Sequence, residues 1–313
     1  MNNWVHPIDN RQVISRQYGG EPTPFVFKGR LYRLENFMRS KDFPKEIPQY
    51  RFHEDGFQIR DVETDRIISI PLLNHYFATA FVWDDQVHVF CGDYGDNQPW
   101  WHIKRYVKIS SADLITWTSP ETVIKADESE SLFNNSVCYD GKRFVMLIET
   151  DDPKWVKFSF KFYTSTNLID WTLLEDALYG TEKYVGGPAL YYYDKTYYVL
   201  YVANKNNKGH ETRIARSRDL FTWEDAPEDR PFLTYDPNYI TDPDNYPGSM
   251  EKNASDAELC EWQGKTIINF CGGNQCGCAD LKEAVFDGPP SDLLKFFFNK
   301  TIRKPKKWTN KLN

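Results

Sequence analysis

Apolar and aromatic residues in this chain come in short runs broken by tight polar turns, and one run–turn–run phrase keeps returning. "FVFKGRLYRL" (25–34), "FVWDDQVHVF" (81–90), "VCYDGKRFVML" (137–147), "LYYYDKTYYVLY" (190–201) and "LCEWQGKTIINF" (259–270) each set strand-forming residues on both sides of a polar turn. Such a pattern is a strong short-range signal for a β-hairpin. The turn positions Gly29, Asp85, Gly141, Asp194 and Gly264 mark five units.

A second phrase follows the hairpin in three units. "SSADLITW" (110–117), "TSTNLIDW" (164–171) and "RSRDLFTW" (216–223) end on Trp117, Trp171 and Trp223, spaced by 54 and then 52 residues. The short Asp or Asn side chain bonds its own backbone and favours a tight turn, after which the Trp begins another strand. A fixed period of this length is a repeat. Five units of four short antiparallel strands predict an all-β fold, a five-bladed β-propeller with four-stranded antiparallel blades. A β-sandwich does not predict self-similarity at this period, and solenoid repeats are shorter. The expected blades are 21–74, 75–130, 131–183, 184–228 and 253–300 within a single domain, 1–313, with a Pro- and Asp-rich insertion at 225–252.

Composition narrows the class. Of 313 residues 41% are apolar and 16% aromatic, enough for a large strand-built core. The net charge of −7 argues against a general nucleic-acid binder, which needs a basic surface; the basic run "TIRKPKKWTNK" (301–311) reads as a solvated tail. No stretch approaches the roughly 18 apolar residues of a membrane span. The polar start "MNNWVHPIDNRQ" lacks the apolar core of a signal peptide, so a cytoplasmic product is expected, or a periplasmic or secreted one if a signal has been removed. Of the six cysteines, Cys260, Cys271, Cys276 and Cys278 fall in the last unit, but without the two close pairs of a thiolate metal site. Cys260 and Cys271 occupy strand positions where Cys acts as a small apolar residue; Cys91 and Cys138 are the other two.

Antiparallel order within a blade puts the start of the innermost strand, the end of the second and the start of the third at one end of the ring. Polar residues collect at those positions. The second strands end near Glu35, Asp93, Glu149, Asn204 and Asn274, with Gln275 beside the last. The innermost strands open with His75, Asn134 and Asn135, Gly186-Gly187-Pro188, and Asn253 to Asp256, and the fourth unit adds His210 and Glu211. Glu149 closes the apolar run "FVMLIE", so burial should raise its pKa and suit it to general acid work. Asp256, in "NASDAEL", is expected to stay ionised as base or nucleophile. Glu35, Glu149 and Asp256 form the expected catalytic trio. Tyr94, Trp100, Trp101 and Trp155 would line the mouth. Paired carboxyls among amides and flat aromatics suit glycoside hydrolysis, where the two acids stand roughly 6.5–9.5 Å apart for inversion and about 5–5.5 Å for retention. The expected partner is therefore a small carbohydrate, with Arg60, Asp61, His75, Asp93, Trp101, Asn135, His210, Glu211, Asn274 and Gln275 as the expected binding residues.

Five hairpins with "S-x-D-L-x-x-W" endings resemble the five-bladed glycosidases of glycoside hydrolase families 43, 32, 117 and 130, family-43-like bacterial proteins above all. The matching segments are Arg60-Asp61-Val62-Glu63-Thr64, Asn134-Asn135-Ser136-Val137, and Ser255-Asp256 through Gln275. The resemblance implies a glycosidase acting on a short oligosaccharide. It implies no required cofactor, but a possible structural Ca²⁺ on the propeller axis, faced by His75 or Asp256. The family-43 acids do not transfer position by position. Blade one opens "EPTPF", with Glu21 or Thr23 near the place of the first Asp, blade two opens "HYFATAF" without a carboxylate, and blade four has Gly186 and Gly187 where a Glu would stand. The repeated phrase also resembles the sialidase Asp-box without its Gly. Two alternatives remain open. One is a phosphorylase of family-130 type, with His210, Arg213 and Arg60 receiving phosphate; the other is a carbohydrate-binding propeller without catalysis. The oligomeric state is not legible.

Overall fold

The computed structural model of the chain describes residues 5–8, 11–15, 21–38, 55–95, 102–205, 208–244, 247–274 and 279–299. The first strand, β1 (Arg11–Ser15), finds its place only when the chain returns to it. Blade one is β2 (Pro22–Phe27), β3 (Arg30–Phe37), β4 (Gly56–Asp61) and β5 (Arg66–Leu73). Blade two is β6 (His75–Trp83), β7 (Gln86–Asp93), β8 (Arg105–Ser111) and β9 (Glu121–Lys125). Blade three is β10 (Leu132–Tyr139), β11 (Phe144–Thr150), β12 (Ser159–Ser165) and β13 (Thr172–Tyr179). Blade four is β14 (Gly186–Tyr193), β15 (Thr196–Asn204), β16 (His210–Ser217) and the short β17 (Trp223–Asp225). Blade five holds β18 (Ser255–Trp262), β19 (Lys265–Cys271) and β20 (Leu281–Phe286), and β1 pairs antiparallel with β20 as its outermost strand.

The expected five-bladed ring is therefore what the chain forms, with one difference at its close. Among the described residues the stretch after β20 supplies no fourth strand. It forms the helix α1 (Pro290–Phe296), which opens on Pro290 as helix starts favour and buries Leu293 and Leu294. No helix of the described residues is long and apolar enough to cross a membrane.

Local chemistry explains the hairpins. Lys28 and Gly29, Asp84 and Asp85, Asp194 and Lys195, and Gln263 and Gly264 all have positive φ at both central positions. That is the twist-matched two-residue turn. In blade three Asp140 instead caps the turn, accepting from the N–H groups of Lys142 and Arg143 at 2.9 Å each. The repeated Ser-x-Asp-Leu phrase is a turn of the same kind. Ser111 Oγ accepts the Leu114 N–H (2.8 Å), Asp113 Oδ1 accepts those of Ile115 and Thr116 (2.9 and 2.7 Å), and Leu114 sits at φ 64°. Leu168 and Leu220 repeat this at φ 64° and 74°.

Four seams between blades are apolar. Leu34, Phe57 and Ile59 of blade one meet Val87, Val89 and Cys91 of blade two. Phe90 and Tyr106 meet Val137 and Met146 of blade three, whose Leu147 and Phe162 meet Leu190 and Val199 of blade four. Leu200 and Ile214 of blade four meet Leu259, Ile268 and α1. The closing seam differs: among the described residues no apolar cluster joins blade five to blade one. Side chains alternate along strands, so the face of blade one opposite Leu34 and Ile59 carries Arg33, Glu35, Gln58 and Arg60, matched as Arg33↔Arg60 and Glu35↔Gln58.

Candidate active site

The innermost strands converge at one end of the ring, and four of them share a device there. The register of β6, β10, β14 and β18 slips between Tyr76 and Thr79, Leu132 and Asn135, Gly186 and Ala189, and Ser255 and Glu258. Each slip is a β-bulge, which sets two residues against one and re-aims a side chain. Phe77, Gly187 and Asp256 occupy the bulges at φ 54°, 47° and 52°. Glycine accepts that conformation freely and Asp tolerates it, whereas Phe77 is held there against steric cost. Two buried amides clamp the bulge of β6. Asn36 donates to the Ala78 carbonyl and accepts its N–H (2.9 Å each), and Asn135 donates to the Phe77 carbonyl (2.9 Å). β2 has no slip, and Glu21 stands directly before it.

All five blades line the resulting cup. Glu21 comes from blade one, Phe77 and Ala78 from blade two, Asn134 and Asn135 from blade three, Gly187 and Pro188 from blade four, and Asp256 and Glu258 from blade five. Glu149, 4% exposed, joins them through Oε2, which accepts from the Gly187 N–H (2.9 Å) and Asn134 Nδ2 (3.1 Å). Gly187 links two acids: a Cβ on it would lie 2.1 Å from Asp256 Oδ1, so the Asp256 carboxyl rests against its Cα while its N–H holds Glu149. Ser255 Oγ donates to Asp256. Glu258 accepts from Thr23 (3.0 Å) and Thr79 (3.4 Å). Among the described residues Glu21 Oε2 is buried without a hydrogen-bond partner.

No basic side chain lines the cup among the described residues, and burial therefore governs its acids. Burial raises Glu149 to about 8, with the nearby Asp256 adding to the rise and Asn134, Gly187 and Lys157 opposing it. Burial raises Asp256 to about 6 against the Ser255 hydrogen bond. Glu258 is likewise raised to about 8 by burial. Glu21 is pushed well up by burial, then by Asp256 and Glu149. Near neutral pH Glu149 carries a proton and Asp256 is mostly ionised. Two acids pushed apart in this way are suited to acid and base roles at one centre.

Of the expected trio, Glu149 and Asp256 meet and Glu35 does not join them. Glu35 is 2% exposed but lies on the closing seam, ion-paired to Arg33 (2.7 Å) and Arg60 (2.9 Å) with Gln58 donating at 2.7 Å. Burial alone would raise it, yet Arg33, Gln58 and Arg60 together hold it below the usual carboxylate range. Such a group has no proton to donate near neutrality. Glu21 supplies the blade-one acid instead. The signal for it was its place at the head of an innermost strand, where Pro22 begins β2.

Among the expected binding residues, Asn135 lines the cup as a clamp. Arg60 belongs to the seam, and Asp61 lies at the far end of the blade, because β4 starts at the cup end and runs away from it; there Asp61 accepts from Arg30 (2.5 Å) and the Thr64 N–H (3.0 Å). His75 and Asp93 face each other at the rim of blade two, His75 Nδ1 bonded to the Leu73 carbonyl (2.8 Å) and Asp93 to Arg105 (2.7 Å). Glu211 is ion-paired to Arg213 (2.8 Å) and Lys205 (3.4 Å). His210 has a buried Nδ1 without a partner and stands 6.0 Å from the Tyr184 ring. Asn274 donates to Ser249 at 2.5 Å, tying β19 to the insertion. Tyr94 belongs to the core of blades two and three rather than the mouth. Trp100, Trp101, Gln275, Cys276 and Cys278 lie outside the described residues.

Sequence reasoning missed Tyr184, whose hydroxyl lies beside Gly186, and Lys157, whose ammonium sits over Phe133 and Phe158 and bears on Glu149. An axial Ca²⁺ would need about six to eight oxygens. Asp256 lines the axis and His75 does not, and no group of three or more His, Cys, Asp or Glu among the described residues is arranged to hold a metal.

No protein-family model matches the chain, and no curated protein sequence matches it. Solved structures do match in fold. The GH43 protein BlXynB from Bacillus licheniformis superposes with a TM-score of 0.58 at 16% identity, over 85% of this chain and 51% of that one. A xylan β-1,4-xylosidase from Bacillus halodurans gives 0.57 at 15% identity, over 86% and 52%. The α-L-arabinofuranosidase PaAbf62A from Podospora anserina, in complex with cellotriose, gives 0.61 at 10% identity, over 92% and 94%. The chain thus spans about half the length of the two Bacillus proteins and nearly all of the fungal one.

Proposed function

We propose that the chain is a glycoside hydrolase working in the cup at the head of its innermost strands. The observation that carries this is one residue, Gly187, touching a proton-bearing Glu149 and an ionised Asp256. Glu149 donates its proton to the leaving glycosidic oxygen. Asp256, on the facing bulge, acts as base on a water or as nucleophile on the sugar carbon. Glu21, pushed up by burial and by its acid neighbours, adds a hydrogen-bond donor. Phe77 and Tyr184 supply apolar surface beside the sugar ring. The glycosidase neighbours of the same fold support the reading.

The phosphorylase alternative has less in its favour. It needs free cations, and Arg60 and Arg213 are engaged by Glu35 and Glu211. The test is a panel of aryl glycosides, beginning with β-xylosides and α-arabinofuranosides, assayed with and without inorganic phosphate. Turnover independent of phosphate and lost in D256N is expected. Turnover that requires phosphate, or that survives D256N unchanged, would sink the assignment.

A further inference from the structure

The end of the ring opposite the cup has its own built surface. β6 starts at the cup with Phe77 and Ala78 and ends at Trp83, so the hairpin at Asp84 and Asp85 faces away from the acids. Trp83 is 38% exposed there. Its ring meets Tyr139 of blade three at 4.4 Å between centroids and 48°, and it stands edge-on to Phe144 at 5.2 Å. This ring pair is a wall with a cavity on each side. On the axial side a cavity of about 400 Å³ opens, with Tyr191, Tyr192 and Tyr193 across from the pair and Ser136 and Glu258 deeper in. On the outer side a cleft of about 330 Å³ lies between blades two and three. Its rim carries exposed Asp84, Gln86, Lys142 and Asn167, and its floor carries buried His88 and Phe144.

Both volumes fall within or near the range of small-molecule sites, in which apolar walls and a few polar groups fix orientation. The chemistry of the lining selects the ligand. Flat rings offer faces to a flat partner, while the Gln86 amide, the Asp84 carboxylate and the Lys142 ammonium around them can each accept from or donate to hydroxyls; the Asn167 amide is engaged in its own turn by Ile169 and Asp170. The ligand that matches is a polyhydroxylated ring, repeated so as to occupy both sides of the wall. We propose that the Trp83–Tyr139 wall is a second saccharide-binding site, which holds an oligosaccharide on the face opposite the cup and takes no part in bond cleavage. The choice of ligand class rests on the glycoside reading of the cup.

The test uses the full chain carrying E149Q to stop turnover, with cellotriose and xylotriose as probes followed by indole fluorescence and by calorimetric stoichiometry. W83A in that background should remove one binding step or weaken it about tenfold or more. Q86A, a rim change remote from the core, should weaken the same step several-fold, which guards against a misfolded W83A; thermal midpoints report the fold of both. With Glu149 intact, W83A should leave turnover of a small aryl glycoside unaltered. Titrations that are identical with and without Trp83 and Gln86, or absence of binding by either trisaccharide, overturn the second site. Hydrolysis in the cup together with Trp83-independent binding removes this proposal and leaves the catalytic reading. Trp83-dependent binding in a chain that cleaves no glycoside does the reverse.

Discussion

Glu149 and Glu35 make an instructive pair. Both are buried acids near the end of the second strand of a blade, 4% and 2% exposed. Around Glu149 stand an amide, a backbone N–H and other acids, and its carboxyl rises to about 8. Around Glu35 stand Arg33, Arg60 and Gln58, and its carboxyl falls. Depth is the same and the outcome opposite, because burial penalises a bare charge while close guanidinium groups more than offset that penalty. The first acid is poised to give up a proton; the second holds two strands of the closing seam together.

Substitutions can break this contrast. The largest effect is expected in the cup, where E149Q and D256N should lower kcat/KM by about 10²–10⁴-fold with circular dichroism unchanged. E35Q should leave kcat/KM near that of the parent protein. Equal losses from E35Q and E149Q would show that the two regions act as one. G187A places a Cβ on a left-handed backbone 2.1 Å from Asp256 Oδ1. Displacing the acid by that contact should lower kcat/KM on the order of 10²-fold, measured on the same glycoside. In urea melts E35Q should lose about 3 kcal/mol by leaving buried Arg33 without its carboxylate and Arg60 with only the exposed Asp65, whereas E149Q at pH 7 should be neutral or stabilising.

The subtlest test is pH. Glu149 is raised, so the folded chain holds that proton more tightly than the unfolded one. Its contribution to stability is full below the ordinary glutamate value of 4.5 and is lost as pH climbs through about 8. Glu35 is lowered, so its contribution is present above the ordinary carboxylate range and lost as pH falls through its depressed value. E149Q should flatten the alkaline decline of the urea midpoint, and E35Q the acid decline. The rate profile of the parent protein should be bell-shaped, with limbs near 6 and 8 that belong to the coupled Asp256–Glu149 pair.

Most of the ring was legible because its signals are local. Each hairpin advertises its turn in two residues, and Leu114, Leu168 and Leu220 repeat one turn whose capping side chain lies next to them in sequence. Glu149 was legible as an acid ending an apolar run, and Asp256 as an acid at the head of an innermost strand. The fate of Glu35 depended on Arg60, a partner 25 residues away whose side chain shares its face only once β3 and β4 are in register. The bulges leave little trace beyond Gly187, since Phe77 gives no hint of a left-handed backbone. β1 was hidden for a simpler reason: "RQVIS" is five residues long, and its partner Ala284 stands at the other end of the chain.

That pairing sets an order of events. On a ribosome Arg11–Ser15 emerges ahead of the other described strands, yet the edge it must lie along is not made until Leu281–Phe286 has appeared. The segment cannot take that place while the strands of the other four sheets are being synthesised behind it. A chain halted before that edge exists would be an open arc, with the Arg33–Glu35 face bare to water and no cup shared by all five sheets. Completion of the ring and closure of the cup are thus tied to the same late-synthesised edge.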